Sequence, residues 1–321
     1  MSHWEQEPAL HTSAIVLEEP RRIDLRTLAL AAATAEDVTV AVDWTAISTG
    51  TERLLYEGTM PMFPGMGYPL VPGYEAVGRV IAPDAAGKLV AGQTVFVPGA
   101  NCFVGARGLF GASASHLVVP AARVLPIDDG LAEKGVLFAL AATAYHSLGA
   151  DGVKPDLIVG HGVLGRLLAR IVIATGAPAP TVWETSPKRT EGAQGYAVVH
   201  PDVDTRRDYR AITDVSGAAS ILDTLIARLA PCGEICLAGF YNQPLNFTFP
   251  PAFIREARLR VAAQWKPADL DAIQALVEAG ALSFDGLLTH HVEVRDAARA
   301  YETAFADPDC LKMVLDWRDF S

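Results

Sequence analysis

The stretch from Asp156 to Glu184 constrains this chain more than any other. Leu157-Ile158-Val159 is an apolar run suited to a buried strand. Gly160-His161-Gly162-Val163-Leu164-Gly165 follows it, then a helix-spaced run RLLARIVIATG, then the strand-like TVWE. Strand, glycine turn, helix and strand in that order predict a dinucleotide-binding unit. Gly160 permits the tight turn, Gly162 lets the backbone approach a pyrophosphate, and Gly165 lets helix and strand close on each other. The helix start offers backbone N–H groups and a positive dipole end to the phosphates. Three glycines in six residues arise often by chance, so the flanking strand and helix give the motif its weight. Val163 and Leu164 belong to the same expected cofactor contact, as does His161.

Glu184 ends the second strand, 19 residues after Gly165. A carboxylate there can accept from both ribose hydroxyls, which predicts NAD. Lys188 and Arg189 follow closely and would suit the 2′-phosphate of NADP instead. Two further places fit the cofactor site: Ser216 within Asp214-Val215-Ser216-Gly217, and Gly239-Phe240. Each follows an apolar run and should sit at the carboxyl end of a strand, where ligands bind in open α/β sheets.

The length of 321 residues makes two domains the natural expectation. Before Gly130 the chain is strand-rich: SAIVLEE, VTVAVDW, YEAVGRVIA, TVFVPG and SHLVVP lie between Gly, Pro, Asn and Asp. Near Gly130 the texture changes. LAEKGVLFALAATAYHSLGA reads as a helix, and strands then alternate with helices, which predicts a parallel sheet. ILDTLIARLAPCG reads as a helix and EICLAGF as a strand. LRVAAQW reads as a strand, PADLDAIQALVEAG as a helix opened by Pro267 and closed by Gly280, and LKMVLDW as a strand. The expected division is 1–138 with 267–321 as a β-rich domain, and 139–266 as an α/β domain.

Half the residues are hydrophobic and 20% are charged, which suits a well-buried globular chain. The net charge is −11 with no basic stripe, so nucleic acid is not an expected partner. The four cysteines form no C-x-x-C pair and no disulfide framework is indicated. Residues 1–12 read as a loose tail without the apolar core of a signal peptide. No apolar run approaches the roughly 18 residues of a membrane span. The expected compartment is the cytoplasm.

SAIVLEEP, VPGYEAVGRV, GASASHLVVP, LAATAYHSL, the GHGVLG turn, DVSG, PCGEICLAGF and LKMVLDW together resemble the medium-chain dehydrogenase/reductase family, from about Ser13 to Trp317. The resemblance implies an α/β chain. A GroES-like β-rich catalytic domain would join a Rossmann domain with a doubly wound parallel sheet. It also implies a homodimer joined edge to edge near Leu259 to Trp265. Zinc-using members carry a Cys in the segment that here reads Ala46 to Glu52, and a His where this chain has Tyr74 in Gly73-Tyr74-Glu75. Their third ligand falls near Leu140, Ala141 and Ala142. A structural zinc lobe needs four close cysteines, and only Cys102 lies in that region. No metal is therefore expected, although a set drawn from Glu52, Glu75 and His146 stays open.

The runs ISTGTERLLYEG, MPMFPGMGYPLVPGYE, GLFG, FPPAFIREAR and CLKMVLDW resemble a branch of the family that works on bacteriochlorophyll precursors. That implies oxidation of the 3-(1-hydroxyethyl) side chain of a bacteriochlorophyllide to 3-acetyl, with NAD taking the hydride. Two rival readings remain: a zinc-free quinone or enone reductase using NADPH, and a non-catalytic NAD(H)-binding redox sensor.

Alcohol oxidation needs a proton acceptor and something to stabilise developing alkoxide charge. Tyr74 is the first candidate, since it replaces a zinc-binding His. Ser48, Thr49 and Thr51 are candidates for a hydroxyl relay, Glu75 for orienting Tyr74, and His146 for proton relay near neutral pH. Met60, Met62, Phe63, Met66 and Tyr68 lie on a Pro- and Gly-rich loop. Flexible thioethers and rings there suit a large flat apolar ligand such as a tetrapyrrole. Arg53, Arg107 and Arg255 are candidates for gripping a propionate.

Overall fold

A computed structural model describes residues 10–62, 64–149 and 153–320. Phe63 and the first nine residues of the expected tail lie outside the described residues. A strand already begins at His11, where a loose tail was expected. The chain divides into two compact units, residues 1–137 with 288–321, and residues 138–287. The first boundary falls one residue from the expected one. The second falls after Leu287 rather than before Pro267, because helix Pro267–Glu278 belongs to the second unit.

The first unit is built on antiparallel pairing. Strand Asp37–Ile47 is its spine and pairs with Ala76–Ala82, His116–Pro120 and Met313–Asp316. Its alternation of Val, Ala and Thr fills the core, where Val38, Val40, Ala46 and Ile47 are buried. Strand Met313–Asp316 completes the sheet from the far end of the chain, with Met313 opposite Ile47. The buried Trp317 beside it donates its indole N–H to Thr45 Oγ1 at 2.9 Å. Two helices were not anticipated from sequence. Helix Thr51–Glu57 ends at Gly58, which adopts the left-handed backbone a C-terminal cap requires. Helix Ala297–Ala306 buries Ala297, Ala300, Tyr301 and Ala304, a three-and-four spacing that lays one face on the core.

The second unit holds a six-stranded parallel sheet in the order Ala197–Val199, Thr181–Trp183, Leu157–Val159, Tyr209–Asp214, Leu229–Leu237, Arg258–Val261. The order reverses direction at Leu157–Val159, which places a topological switch point beside the glycine turn. Helix Val163–Ala174 buries Leu167, Leu168, Ile171 and Val172. The helix expected over ILDTLIARLAPCG stops at Arg228, and Leu229 opens a strand directly. Beyond it, Pro231 and Gly233 break helical continuation, and Leu229 pairs across to Tyr209. Strand Arg258–Val261 is an edge of the sheet, with Val261 76% exposed. Among the described residues no helix is long and apolar enough to cross a membrane.

Candidate active site and dinucleotide cradle

In the second unit, the three glycine-bearing turns at the strand ends meet. Gly160 has φ +104, and a Cβ there would come within 3.2 Å of the Ser216 backbone. A Cβ on Gly239 would come within 3.0 Å of the Gly217 amide nitrogen. A Cβ on Gly165 would lie 1.9 Å from the Gly160 carbonyl oxygen, so helix and turn close only without a side chain. Gly162 differs: a Cβ there would meet no atom within 4 Å. It also caps helix Val163–Ala174 with no side-chain hydrogen bond. An open approach at a helix start without a side-chain cap fits a pyrophosphate.

Glu184 stands at the end of its strand as expected, but its carboxylate is already engaged. Oε2 accepts from the His161 amide at 3.1 Å, and Oε1 accepts from the Thr185 and Ser186 amides at 2.8 Å each. A carboxylate has about four lone-pair sites, so capacity for a ribose hydroxyl remains. His161 sits in the turn with a fully buried ring. Its Nδ1 bonds the Arg189 carbonyl oxygen at 2.6 Å and its Nε2 bonds the Tyr196 hydroxyl at 2.8 Å. Burial pushes its pKa down, so the ring is neutral and ties the glycine turn to the loop beyond Glu184. Ser216 and Phe240 are exposed. Behind them, buried Asp214 accepts from the Ser216 amide at 2.9 Å and the Tyr241 hydroxyl at 2.6 Å. Arg166 and Arg170 are buried on the helix and donate to backbone carbonyls of His161, Arg189, Ser283 and Asp285, while Arg170 Nε has no hydrogen-bond partner among the described residues. Their helical spacing gave no sign of that burial.

In the first unit, strand register builds a separate polar group. Thr45 pairs with Ala76, and the Ala46 amide donates to the Glu75 carbonyl at 3.0 Å. Ser48, just past the end of one strand, and Tyr74, just ahead of the other, therefore face each other. Their hydroxyls are 2.5 Å apart, with either able to donate. The Thr51 side chain neighbours the same phenol. Thr49 is exposed. Tyr74 packs edge-on against Phe110 with ring centroids 5.6 Å apart. Burial, together with the charges of Glu75 and Glu52, pushes its phenol far above the usual range. It is a neutral hydrogen-bond donor, not a base.

Two carboxylates lie behind the pair. Glu75 forms an ion pair with Lys312, both buried. Its other oxygen has no hydrogen-bond partner among the described residues. Burial raises its pKa, and the Lys312 ammonium works against that. Glu52 is 0% exposed. Its Oε1 accepts from the Ser48 amide at 2.9 Å and its Oε2 from the Tyr301 hydroxyl at 2.6 Å. Burial raises it to about 7. Tyr301 and Lys312 carry no motif and were not expected.

His146 lies in the second unit on helix Phe138–His146, with Nδ1 2.8 Å from Asp269 Oδ2. Zinc takes Cys, His and carboxylate ligands. Ser48 and Tyr74 offer each other hydroxyls, while Glu52 and Glu75 are committed to Tyr301 and Lys312. Among the described residues no three His, Cys, Asp or Glu side chains gather to hold a metal ion. The residues do not fit a metal, and no step is drawn through one.

The Met-rich loop is divided. Met60 is only 8% exposed and packs with Leu17, Leu54, Leu55, Leu70 and Leu109, so it is core. Met66 and Tyr68 pack against the same cluster, and the Tyr68 hydroxyl donates to the Leu55 carbonyl. Met62 is 82% exposed. Arg53 pairs with Glu57 at 3.0 Å, and Arg255 donates to the carbonyls of Leu229, Pro251 and Ala227. Arg107 is exposed against Gly67 in the Met-rich loop.

Comparison with known proteins adds to this geometry. The Alcohol dehydrogenase GroES-like domain family matches residues 34–129. The chain is 53% identical to 2-desacetyl-2-hydroxyethyl bacteriochlorophyllide A dehydrogenase of Rhodobacter capsulatus, covering 97% of this chain and 99% of that protein. It is 55% identical to the protein of the same name from Cereibacter sphaeroides, covering 96% and 99%. The fold is similar to acetophenone reductase from Geotrichum candidum in complex with NAD, with a TM-score of 0.80, 16% identity and coverage of 97% and 98%.

Proposed function

The chain belongs to the medium-chain dehydrogenase/reductase family, and on that premise we propose that it oxidises the 3-(1-hydroxyethyl) group of a bacteriochlorophyllide to 3-acetyl, with NAD as hydride acceptor. The near-full-length identity to two proteins named for that reaction carries the reading. The fold is an NAD(P)-binding one, and when bound the nicotinamide supplies the hydride acceptor.

Gly160, Gly162 and Gly165 with the helix start would hold the pyrophosphate, and Glu184 the ribose. The negative charge of Glu184 disfavours a 2′-phosphate, which supports NAD over NADP. Lys188 and Arg189 lie on the following 3-10 turn and leave that carboxylate in place.

The protein's own contribution to chemistry is the Ser48–Tyr74 pair. A neutral phenol donates a hydrogen bond to the substrate oxygen and stabilises alkoxide charge as it develops. Two hydroxyls 2.5 Å apart can relay the substrate's hydroxyl proton, one taking as the other gives, with solvent water as the final acceptor, so neither hydroxyl has to carry the charge. Met62, Met66 and Tyr68 offer a surface for the macrocycle. Of the three arginines, Arg53 and Arg255 already have protein partners, which favours Arg107 for the propionate.

The test is to mix purified protein, NAD and 3-(1-hydroxyethyl) bacteriochlorophyllide and follow ring absorption and NADH together. Matched appearance of acetyl product and NADH is expected, with Tyr74→Phe lowering turnover more than affinity for NAD. Failure to oxidise, joined with NADPH-dependent reduction of an enone or quinone, would replace this reading. NADH binding with no turnover of any kind would point to a sensor.

A further inference from the structure

We propose that Glu52, clasped between the Ser48 amide and the Tyr301 hydroxyl, is the positioning residue that holds the Ser48–Tyr74 pair in its reactive arrangement and does so in its ionised form. This rests on the assignment of that pair to the reaction. Glu52 does not touch Tyr74. It acts through neighbours, and the neighbours form a closed circuit. One carboxylate oxygen accepts from the Ser48 amide, fixing the residue whose hydroxyl meets Tyr74. The other accepts from Tyr301. The Ser113 side chain neighbours the Tyr301 hydroxyl. Ser113 in turn abuts Gly73, where a Cβ would fall 2.5 Å from its Oγ. Backbone bonds lock that contact, with the Ser113 amide donating to Pro72 O at 3.1 Å and the Ala112 amide donating to Gly73 O at 2.9 Å. Gly73 precedes Tyr74. The carboxylate thus restrains both members of the pair, Ser48 directly and Tyr74 through Tyr301 and Ser113.

The charge state of Glu52 matters to this arrangement. A backbone amide can only donate, so Oε1 must accept. An ionised Glu52 makes charge-assisted bonds to Ser48 and Tyr301, roughly twice as strong as neutral ones. A proton on Glu52 weakens the grip on Ser48 and obliges Tyr301 to turn. The charged and titratable groups facing it are Tyr301 from helix Ala297–Ala306, Glu75 beside the Ala76–Ala82 strand, and Lys312 ahead of Met313–Asp316, with Tyr74 across the pair. Lys312 is committed to Glu75, so Glu52 has no cation of its own. Burial therefore dominates and lifts it to about 7, where it changes state in the working range of the protein.

The test uses wild type, Glu52→Gln and Tyr301→Phe. Without substrate, infrared difference spectra across a pH titration should show a protonated-carboxyl band in wild type that titrates near neutrality and is missing in Glu52→Gln. In the oxidation assay, wild-type turnover should fall about tenfold from pH 8 to pH 6, as a single ionisation near 7 requires. Glu52→Gln should lower turnover and flatten that fall to about twofold or less, with affinity for NAD little changed. Tyr301→Phe removes a donor to the carboxylate and should move the inflection up by about one pH unit. Retention of the wild-type inflection in Glu52→Gln, or an unmoved inflection in Tyr301→Phe, would overturn the proposal. Should Glu52→Gln not fold, the Tyr301→Phe inflection decides alone. A titrating band with no turnover of the bacteriochlorophyllide would instead sink the substrate assignment and leave the ionisation of Glu52 standing.

Discussion

Removing Lys312 should expose how much of this site depends on charge compensation. In Lys312→Met the Glu75 carboxyl keeps its burial, at 0% exposure, and loses its counter-ion. Breaking a buried pair on one side costs about 3–5 kcal/mol. The structure also limits the cost, because Glu75 can escape it by taking a proton. From its ordinary value of 4.5, protonation at pH 7 costs about 3.4 kcal/mol at 1.36 kcal/mol per unit. At pH 5 the same escape costs about 0.7 kcal/mol. The sign follows directly. In the variant the folded-state pKa of Glu75 lies far above the unfolded one, so the folded state holds the proton more tightly. The stability of Lys312→Met relative to wild type should therefore recover by up to about 2.7 kcal/mol as pH falls from 7 to 5, less whatever the wild-type Glu75 gains from its own raised pKa. Equilibrium urea unfolding of both proteins at the two pH values measures this. The double change Glu75→Gln with Lys312→Met removes the stranded charge and should regain most of the loss at pH 7. A loss that is equal at both pH values, or a double variant as unstable as the single one, would refute a buried charge pair here.

Glu184→Ala should cost NAD about ten- to hundredfold in affinity while NADP loses much less, since a lost bond to a charged acceptor is worth about 1.5–3 kcal/mol; equal losses in titrations with the two reduced cofactors would remove the ribose role. Gly165→Ala places a Cβ 1.9 Å from a backbone oxygen. It should lower stability by about 1–3 kcal/mol and weaken NADH binding, and an unchanged melting temperature would contradict the packing described. Dialysis against a chelator should leave alcohol oxidation intact, with well under one zinc per chain by metal analysis. Stoichiometric zinc on which turnover depends would overturn the hydroxyl mechanism.

The parts of this protein that were legible in sequence are those whose physics is local. Gly160, Gly162 and Gly165 announce their turn because backbone conformation and close approach forbid other side chains within a few residues. Helix Pro267–Glu278 was readable from Pro267 and Gly280, but which core it would join was not, because capping says nothing about tertiary partners. The Ser48–Tyr74 meeting was suggested only by substitution for metal ligands, and strand register makes it real. Tyr301 lies 249 residues from Glu52 along the chain, and no periodicity links them. Met60 misled for a related reason. A methionine among prolines and glycines looks available to a ligand, yet the turn after helix Thr51–Glu57 folds it back onto Leu54 and Leu55. His146 carries the chemistry of a relay, and its contact with Asp269, 123 residues away, had no signal in the sequence.

The two carboxylates beside the hydroxyl pair show how similar burial yields different work. Glu75 and Glu52 are both 0% exposed, and burial raises both. Glu75 faces an ammonium that opposes the upward push of burial and ties it into the scaffold. Glu52 is hydrogen-bonded by an amide and a phenol, donors that favour its charge without fixing it. A metal would bind the alkoxide directly and hold its field constant across the neutral range. A neutral phenol supplies a weaker, directional bond whose strength depends on placement. Placement here runs through a carboxyl group that titrates, so a hydroxyl-based site of this design should carry a steeper pH dependence than its stability alone would suggest.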